Sequence, residues 1–335
     1  MKKETIAIDV GYGWTKMVTD YNSQTNTFKE LIFPSQSAYS FCEDTAQSDL
    51  DQTDVVVVKI DEQFYVAGVD ISLHQQAYHT QVLTNDYVHT KQYLTLNLAA
   101  LAYSGATEIE NLVIGLPVDL AQSKKEFVTN LLIGEHQINS TIKVTVKNVI
   151  IMAQPVGGLI YANSIKEIEF NDQHKYLIID PGYFTFDYIV FEGKKRNKEL
   201  CGHYPGGMNS LLKAIAKVIS HDQSVHYQDY NSIDKGLRTS QFYLNNKKLS
   251  LSKYLKLAMP CIEPPIQAML NQIGDSRDFN KIIVVGGGAN IYSKILKLFL
   301  PPNLITQMDN PMLANARGFF LFGRQLNKTK GVKAS

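Results

Sequence analysis

The sequence predicts an α/β protein built on a repeated plan, and three stretches predict it. Thr5 to Ile8 form a short apolar strand that runs into Asp9, Gly11 and Gly13. Tyr176 to Ile179 form a second, running into Asp180 and Gly182, with the strand Tyr188 to Phe191 returning after it. Ile282 to Val285 form a third, followed directly by Gly286-Gly287-Gly288-Ala289-Asn290. Glycines at 11 and 13 leave backbone amides uncovered, because no Cβ blocks them, so a hairpin tip there can approach a bulky anion. Asp9, at the end of a buried strand, suits a hydrated cation, and Lys16 on the next strand suits a phosphate. Alone, this stretch reads equally as a strand, a turn and an exposed lysine. The second Asp-x-Gly hairpin and the glycine loop favour a duplicated domain closing on one nucleotide.

In chain order, the first hairpin turns again at the polar run Asn22 to Asn26 into a third strand, Phe28 to Phe33, and Pro34-Ser35 ends that sheet. Residues 42–54 are acidic and polar, which predicts a loop. Val55 to Ile60 and Gln63 to Val69 predict a hairpin around Asp61-Glu62, and residues 74–87 an irregular stretch. His74, His79 and His89 have spacings that fit no common metal site. Leu94, Leu98, Leu101 and Ala102 give Lys91 to Ser104 helical spacing with one buried face. A buried strand, Leu112 to Leu116, follows, then a helix over Ser123 to Leu132 and strands over Ser140 to Val146 and Val149 to Met152. Leu159 to Ile165 reads as a helix after Gln154-Pro155 and two glycines. Hairpin, insert, helix and strand in alternation predict helices packed on a mixed sheet.

In the second half, Gly193 to Lys198 is a basic turn, and Gly206-Gly207 precede a helix over Ser210 to Ile219. Residues 221–250 are polar. Leu251 to Leu270 is helical, with Pro260, Pro264 and Pro265 predicted to kink or split it. Strand Lys281 to Val285 and a helix over Ile291 to Phe299 flank the glycine loop. A C-terminal helix begins near Asn310, and Lys328 to Ser335 reads as a frayed tail.

A chain of 335 residues can form two domains with their own cores. The net charge of +1 excludes bulk attraction to nucleic acid or membrane. Three scattered cysteines, Cys42, Cys201 and Cys261, predict neither disulfides nor zinc and fit a reducing cytoplasm. The N-terminal apolar run, broken by Asp9, is too short for a signal peptide, and no stretch is long enough to span a bilayer.

The landmarks together resemble the actin, hexokinase and chaperone-ATPase superfamily, and within it the plasmid-segregation filament proteins of the ParM/StbA type. Asp9-x-Gly11-x-Gly13-x-Thr15-Lys16 is similar to the family's first phosphate loop, and Asp180-x-Gly182-x-x-Thr185-x-Asp187 to its second. Gly286-Gly287-Gly288-Ala289 resembles the adenosine loop. Met152-Ala153-Gln154-Pro155-Val156-Gly157-Gly158 resembles the connecting segment that carries the catalytic polar residue. The resemblance spans residues 6 to about 320. It implies two actin-like, ribonuclease H-like domains, each a mixed five-stranded sheet with flanking helices, around a nucleotide cleft. The expected bounds are 1–153, with a small inserted subdomain near 34–90, and 154–310, with 311–335 returning to the first domain.

For the site, the resemblance implies phosphate contacts from Gly11, Tyr12, Gly13, Trp14, Thr15 and Lys16 and from Gly182, Tyr183, Phe184 and Thr185. Gly207 and Gly286 to Ala289 would lie near the ribose and base, with Lys235 and Arg238 as further candidates. Asp9 and Asp180 would hold Mg²⁺ through water, Asp187 would support its hairpin, and Gln154 would orient the attacking water without taking its proton. Tyr12, Tyr183 and Phe184 stand where relatives have small residues. ATP or GTP with Mg²⁺ is the implied cofactor, and further copies of the chain and a DNA-binding adaptor on plasmid DNA are the implied partners. A small-molecule kinase needs a carboxylate base where Gln154 sits, and a large chaperone needs a further domain. A filament-forming ATPase is the expectation, with such a kinase or a nucleotide-binding regulator of little turnover as alternatives.

Overall fold

The computed structural model describes residues 1–43, 53–73 and 86–333. The predicted loop over 42–54, the irregular stretch from 74, and His74 and His79 lie largely or wholly outside them. Two compact units partition the chain: residues 1–170 with 308–335, and residues 171–307.

The first unit opens with β1 (Lys2–Val10), β2 (Trp14–Asn22) and β3 (Thr27–Pro34), an antiparallel meander. Asn22 closes the second turn, accepting from the amides of Gln24 and Thr25. An inserted three-stranded sheet follows, built from β4 (Ala38–Ser40), β5 (Val55–Ile60) and β6 (Gln63–Gly68) in the order β4-β6-β5. Helix α1 (Lys91–Tyr103) leads to β7 (Glu108–Leu116), α2 (Leu120–Ser123), α3 (Lys125–Leu132), β8 (Gly134–Gln137), β9 (Lys143–Ala153) and α4 (Gln154–Ser164). The main sheet has six strands in the order β3-β2-β1-β7-β9-β8. This corrects the expected five: the sixth is the short polar edge strand β8, antiparallel to β9. The two strands expected over 140–152 are one, β9.

Helix α1 departs from the expected single buried face. It packs on the inserted sheet and on the main sheet, so it is buried around most of its circumference. Its polar residues return to their own backbone: Thr95 donates to the Lys91 carbonyl and Asn97 to that of Tyr93.

The second unit has β10 (Lys175–Pro181), β11 (Thr185–Glu192), β12 (Lys195–Pro205), α5 (Met208–Gln223), α6 (Tyr230–Thr239), β13 (Tyr243–Leu244), β14 (Lys247–Lys248), α7 (Leu251–Ala258), α8 (Glu263–Ile273), β15 (Lys281–Val284), α9 (Ala289–Leu296) and β16 (Ile305–Gln307). Its five-stranded sheet runs β12-β11-β10-β15-β16, with β10, β15 and β16 parallel. The prolines split the long predicted helix, with a 3₁₀ turn over Met259–Cys261 between α7 and α8. One core joins the sheet and α5 to α9, centred on Leu177, Phe186, Tyr188, Leu211, Ile266 and Tyr292.

Helix α10 (Ala314–Lys333) returns to the first unit and packs on β1, β7 and α4. It runs through Lys333, where a frayed tail from Lys328 was expected. The unit boundary falls at 170/171 rather than 153/154, because α4 lies against α10. Their approach is close enough that a Cβ on Gly318 would overlap the Gly157 carbonyl. The Asn315 side chain accepts from the Gly158 amide at 3.0 Å. The two glycines expected just before the helix are therefore inside it and admit the crossing helix.

Candidate phosphate-loop sites in each unit

The two Asp-x-Gly hairpins share a construction. In the first, the Gly11 amide donates to the Trp14 carbonyl at 3.1 Å; in the second, Gly182 donates to Thr185 at 2.9 Å. Each glycine follows two residues after a carboxylate that its strand carries into the interior, Asp9 at 1% exposure and Asp180 at 4%. Directly across the ladder, Asp9 faces Lys16, whereas Asp180 faces Asp187.

In the first unit both carboxylate oxygens of Asp9 are engaged. Lys16 Nζ donates to Oδ2 at 3.0 Å, and Gln154 Nε2 donates to Oδ1 at 2.7 Å. Gln154 is the first residue of α4, and Pro155 follows in the first turn, where the missing N–H costs nothing. Parallel pairing of β1 with β7 and of β7 with β9 sets the strand end at Ala153 beside the β1 end at Asp9. Behind Asp9 the ring of Phe319 fills the space beside Gly115 and Gly157. Lys16 is not the exposed lysine of the plain alternative; it is nine-tenths buried. Thr15 is fully buried, with its hydroxyl 2.9 Å from that of Ser35, and the Ser35 amide donates to the Gly13 carbonyl at 3.0 Å. Ser35 read only as the end of a sheet; its role arises from a pairing across the β2–β3 hairpin that no local pattern announces. Tyr12 turns inward and packs on Tyr87, their centroids 4.9 Å apart.

In the second unit three segments meet. The Met208 amide donates to the Gly182 carbonyl, Asn209 to Tyr183, and Gly207 to Phe184, at 3.0, 2.7 and 3.0 Å. Gly288 donates to the Pro181 carbonyl at 2.8 Å. Gly286 has a φ of +84°, and a Cβ on it would overlap Asp180 Oδ1. The glycine loop and the N-terminus of α5 thus seat the hairpin, and Ala289, buried, begins α9. Gly287 lies between these fixed points. Tyr183 packs against the unit's core, and burial foremost, then Asp234 and Tyr230 of α6, pushes its phenol up. The bulky residue therefore turns aside from the turn that carries it. Thr185 donates its hydroxyl to Asp187, holding the return strand. Arg238 pairs with Asp234, one turn earlier on α6, at 2.9 Å.

The residues fit a phosphate and its cation. Each buried carboxylate ends a strand at a glycine turn, and the first has a buried ammonium beside it. Among the described residues no group of three or more His, Cys, Asp or Glu could hold a metal ion alone. His89 instead contacts Lys124 and the ring of Phe127.

The model for the N-terminal domain of actin-like proteins matches residues 7–157, from the first hairpin past Gln154. The model for the C-terminal part of the archaeal actin homologue MreB-like proteins matches residues 178–298, from the second hairpin through α9. The chain is an actin-like protein. Among solved structures, a 15-stranded ParM filament from Clostridium botulinum is 22% identical at a TM-score of 0.76, covering 97% of this chain and 100% of that one. A non-polymerisable quadruple mutant of pCBH ParM is 24% identical at 0.76, covering 96% and 99%. An archaeal actin homologue, Ta0583, in complex with ADP is 18% identical at 0.76, again covering 96% and 99%. The actin-like chain thus shares its two-sheet plan with ParM structures. No protein of curated function matches it. No helix among its described residues is long and apolar enough to cross a membrane.

Proposed function

We propose that this actin-like protein binds ATP or GTP with Mg²⁺, hydrolyses it, and assembles with further copies of itself into cytoplasmic filaments that segregate plasmid DNA. The observation that carries the reading is the repeated hairpin, a buried strand-end carboxylate above the same glycine turn in each unit. The ParM filament and the ADP-bound archaeal homologue among its structural likenesses support it.

Each unit contributes one phosphate loop. The Gly11–Thr15 and Gly182–Thr185 turns offer the phosphates those backbone amides that are not bonded within the turn, and Lys16 moves its charge from Asp9 toward them. Asp9 and Asp180 hold Mg²⁺ through water, as suits an ion that dehydrates reluctantly and takes few direct carboxylates. When bound, the ion neutralises charge on the phosphate oxygens. Gly207 meets the ribose, and Gly286 to Ala289 pass beside the base. Gln154 orients the attacking water. A carboxylate only accepts, so Asp9 fixes the Gln154 amide nitrogen toward itself and leaves the Oε1 carbonyl to accept from a water O–H. An amide takes no proton, so the contribution is alignment, and turnover is slow. With a net charge of +1, the chain reaches plasmid DNA through a DNA-binding adaptor.

The test is right-angle light scattering of the purified protein with Mg-ATP, Mg-GTP, Mg-ADP or no nucleotide, beside an Asp180→Ala variant. Scattering that rises with a triphosphate above a threshold concentration, and is lost in the variant, is the expected result. A flat trace in a protein that binds nucleotide normally would sink the filament reading.

A further inference from the structure

The first phosphate turn has little to hold it in place on its own account. Two glycines flank Tyr12, and one internal backbone bond, Gly11 to Trp14, closes the turn. Two of its outside supports trace to the start of α1. On one side, Gln92 Nε2 donates to the Ser35 carbonyl at 2.8 Å, and the Ser35 amide holds Gly13. On the other, Tyr12 lies with its ring 4.9 Å from that of Tyr87, tilted by 30°.

Tyr87 is itself fixed to α1. Its carbonyl accepts from the Thr90 amide at 3.0 Å and from the Thr90 hydroxyl at 2.7 Å, and that hydroxyl caps the helix by accepting from the Tyr93 amide. The Tyr87 ring stands edge-on to fully buried Tyr93, centroids 5.5 Å apart. Tyr87 is 4% exposed, and its hydroxyl has no hydrogen-bond partner among the described residues. The ring, not the hydroxyl, makes the contacts.

We infer that Tyr87 is a positioning residue for the first phosphate loop, acting through the ring of Tyr12 to hold the Tyr12 and Gly13 amides where a phosphate meets them. The inference rests on the reading that this loop takes phosphate. The α1 start is a rigid post and the two aromatic rings are the strut between post and turn. An aromatic pair of this geometry contributes about tenfold in an equilibrium constant, so loss of the strut weakens phosphate binding by about that factor. The chemical step, which depends on Gln154, is left alone.

The experiment compares Tyr87→Phe and Tyr87→Leu with the parent protein by two readouts. Hydrogen exchange without nucleotide reports on the turn itself. The Gly11–Gly13 amides exchange about tenfold faster in Tyr87→Leu and at the parent rate in Tyr87→Phe. Steady-state Mg-ATP hydrolysis then gives KM about tenfold higher in Tyr87→Leu with kcat within twofold, and rescue in Tyr87→Phe. If Tyr87→Leu does not fold, Tyr12→Leu removes the strut from the loop side and carries the same exchange expectation. Unchanged exchange in a folded strut variant overturns the inference, as does a Tyr87→Phe variant as impaired as the leucine. A parent protein that binds no nucleotide overturns the phosphate reading instead, and the exchange result still decides whether the strut holds the turn.

Discussion

Gln154 and Asp9, 145 positions apart, meet in a 2.7 Å hydrogen bond that ties the first turn of α4 to the end of β1. Lys16 takes the other oxygen of the same carboxylate. Gln154→Glu would put a second anion against Asp9, and two adjacent carboxylates cannot both ionise cheaply. The new carboxyl's pKa is then raised above its unfolded value, so its contribution to stability is lost as pH rises through the carboxylate range. The variant is less stable than the parent at pH 7 by about 1–2 kcal/mol, read by denaturant unfolding, and the gap narrows at pH 4. A gap that stays the same on acidification would show that the two side chains do not interact.

Removing the amide altogether separates alignment from binding. Gln154→Ala keeps Lys16 on Asp9 and loses the water acceptor. Hydrolysis falls about a hundredfold, as for removal of one preorganised hydrogen-bonding group, while nucleotide affinity changes by less than about threefold. Single-turnover hydrolysis alongside equilibrium binding of a fluorescent nucleotide measures the two. Equal losses in both would assign Gln154 to binding.

Gly286 and Gly274 form a natural control pair. Both have left-handed φ, +84° and +74°, but a Cβ on Gly286 overlaps the Asp180 carboxylate, whereas Gly274 has nothing within 4 Å. Gly274→Ala carries backbone strain alone and costs about 1 kcal/mol. Gly286→Ala adds a clash that displaces Asp180 and costs about 3 kcal/mol or prevents the second unit from folding. Urea unfolding compares them, and equal midpoints would refute the clash.

These particulars show what could be read in the sequence. Both hairpins were legible because a strand, a carboxylate and glycines adjoin in the chain. The inserted β5–β6 hairpin was legible because Asp61, in left-handed conformation at φ 50°, sits between alternating apolar runs. Strand β12 was not: Lys195 to Pro205 is polar and glycine-bearing, and it is a strand because β11 offers it an edge. Helix α6 was hidden in a polar stretch whose only buried positions are Ile233 and Gly236. At the site, residue types pointed to Asp9 and Lys16 and the family resemblance to Gln154, but Ser35, Gln92 and Phe319 are joined to the loop only by tertiary packing. Gly286 and Gly288 read as a path beside a base, whereas their nearest constraint is the hairpin they pack against.

Arg317 fastens the returning helix α10 to the rest of its unit. Its guanidinium makes a fork on Glu30 at 2.8 and 3.0 Å, donates to the Tyr161 hydroxyl at 2.8 Å, and lies over the rings of Phe28 and Tyr161. A lysine cannot reproduce a bidentate, stacked contact. Arg317→Lys destabilises the protein by about 2 kcal/mol, and Arg317→Ala by about 3–4 kcal/mol, because Glu30 and Tyr161 lose their partner. Denaturant midpoints at constant m-value check both. A lysine variant as stable as the parent would mean that charge alone holds α10.

Alkaline pH tests the packing of the aromatic column beside the first phosphate turn. Burial is the main cause that pushes the phenols of Tyr87 and Tyr93 above the ordinary 10.0. In the unfolded chain these groups release their protons near pH 10, whereas in the folded chain they keep them. Above pH 10 the unfolded state therefore binds fewer protons, and stability falls with rising pH; below it these groups add no slope. Tyrosinate absorbance at 295 nm then rises in two parts, an early part from exposed phenols and a late, cooperative part that coincides with loss of helical circular dichroism. Tyr87→Phe removes one buried phenol and makes the fall in stability above pH 10 shallower. A single smooth titration centred at the ordinary value, with the circular dichroism unchanged throughout, would mean that hydroxide reaches these rings in the folded state. The strut between Tyr87 and Tyr12 would then lack the tight surroundings on which its hold over the phosphate turn depends.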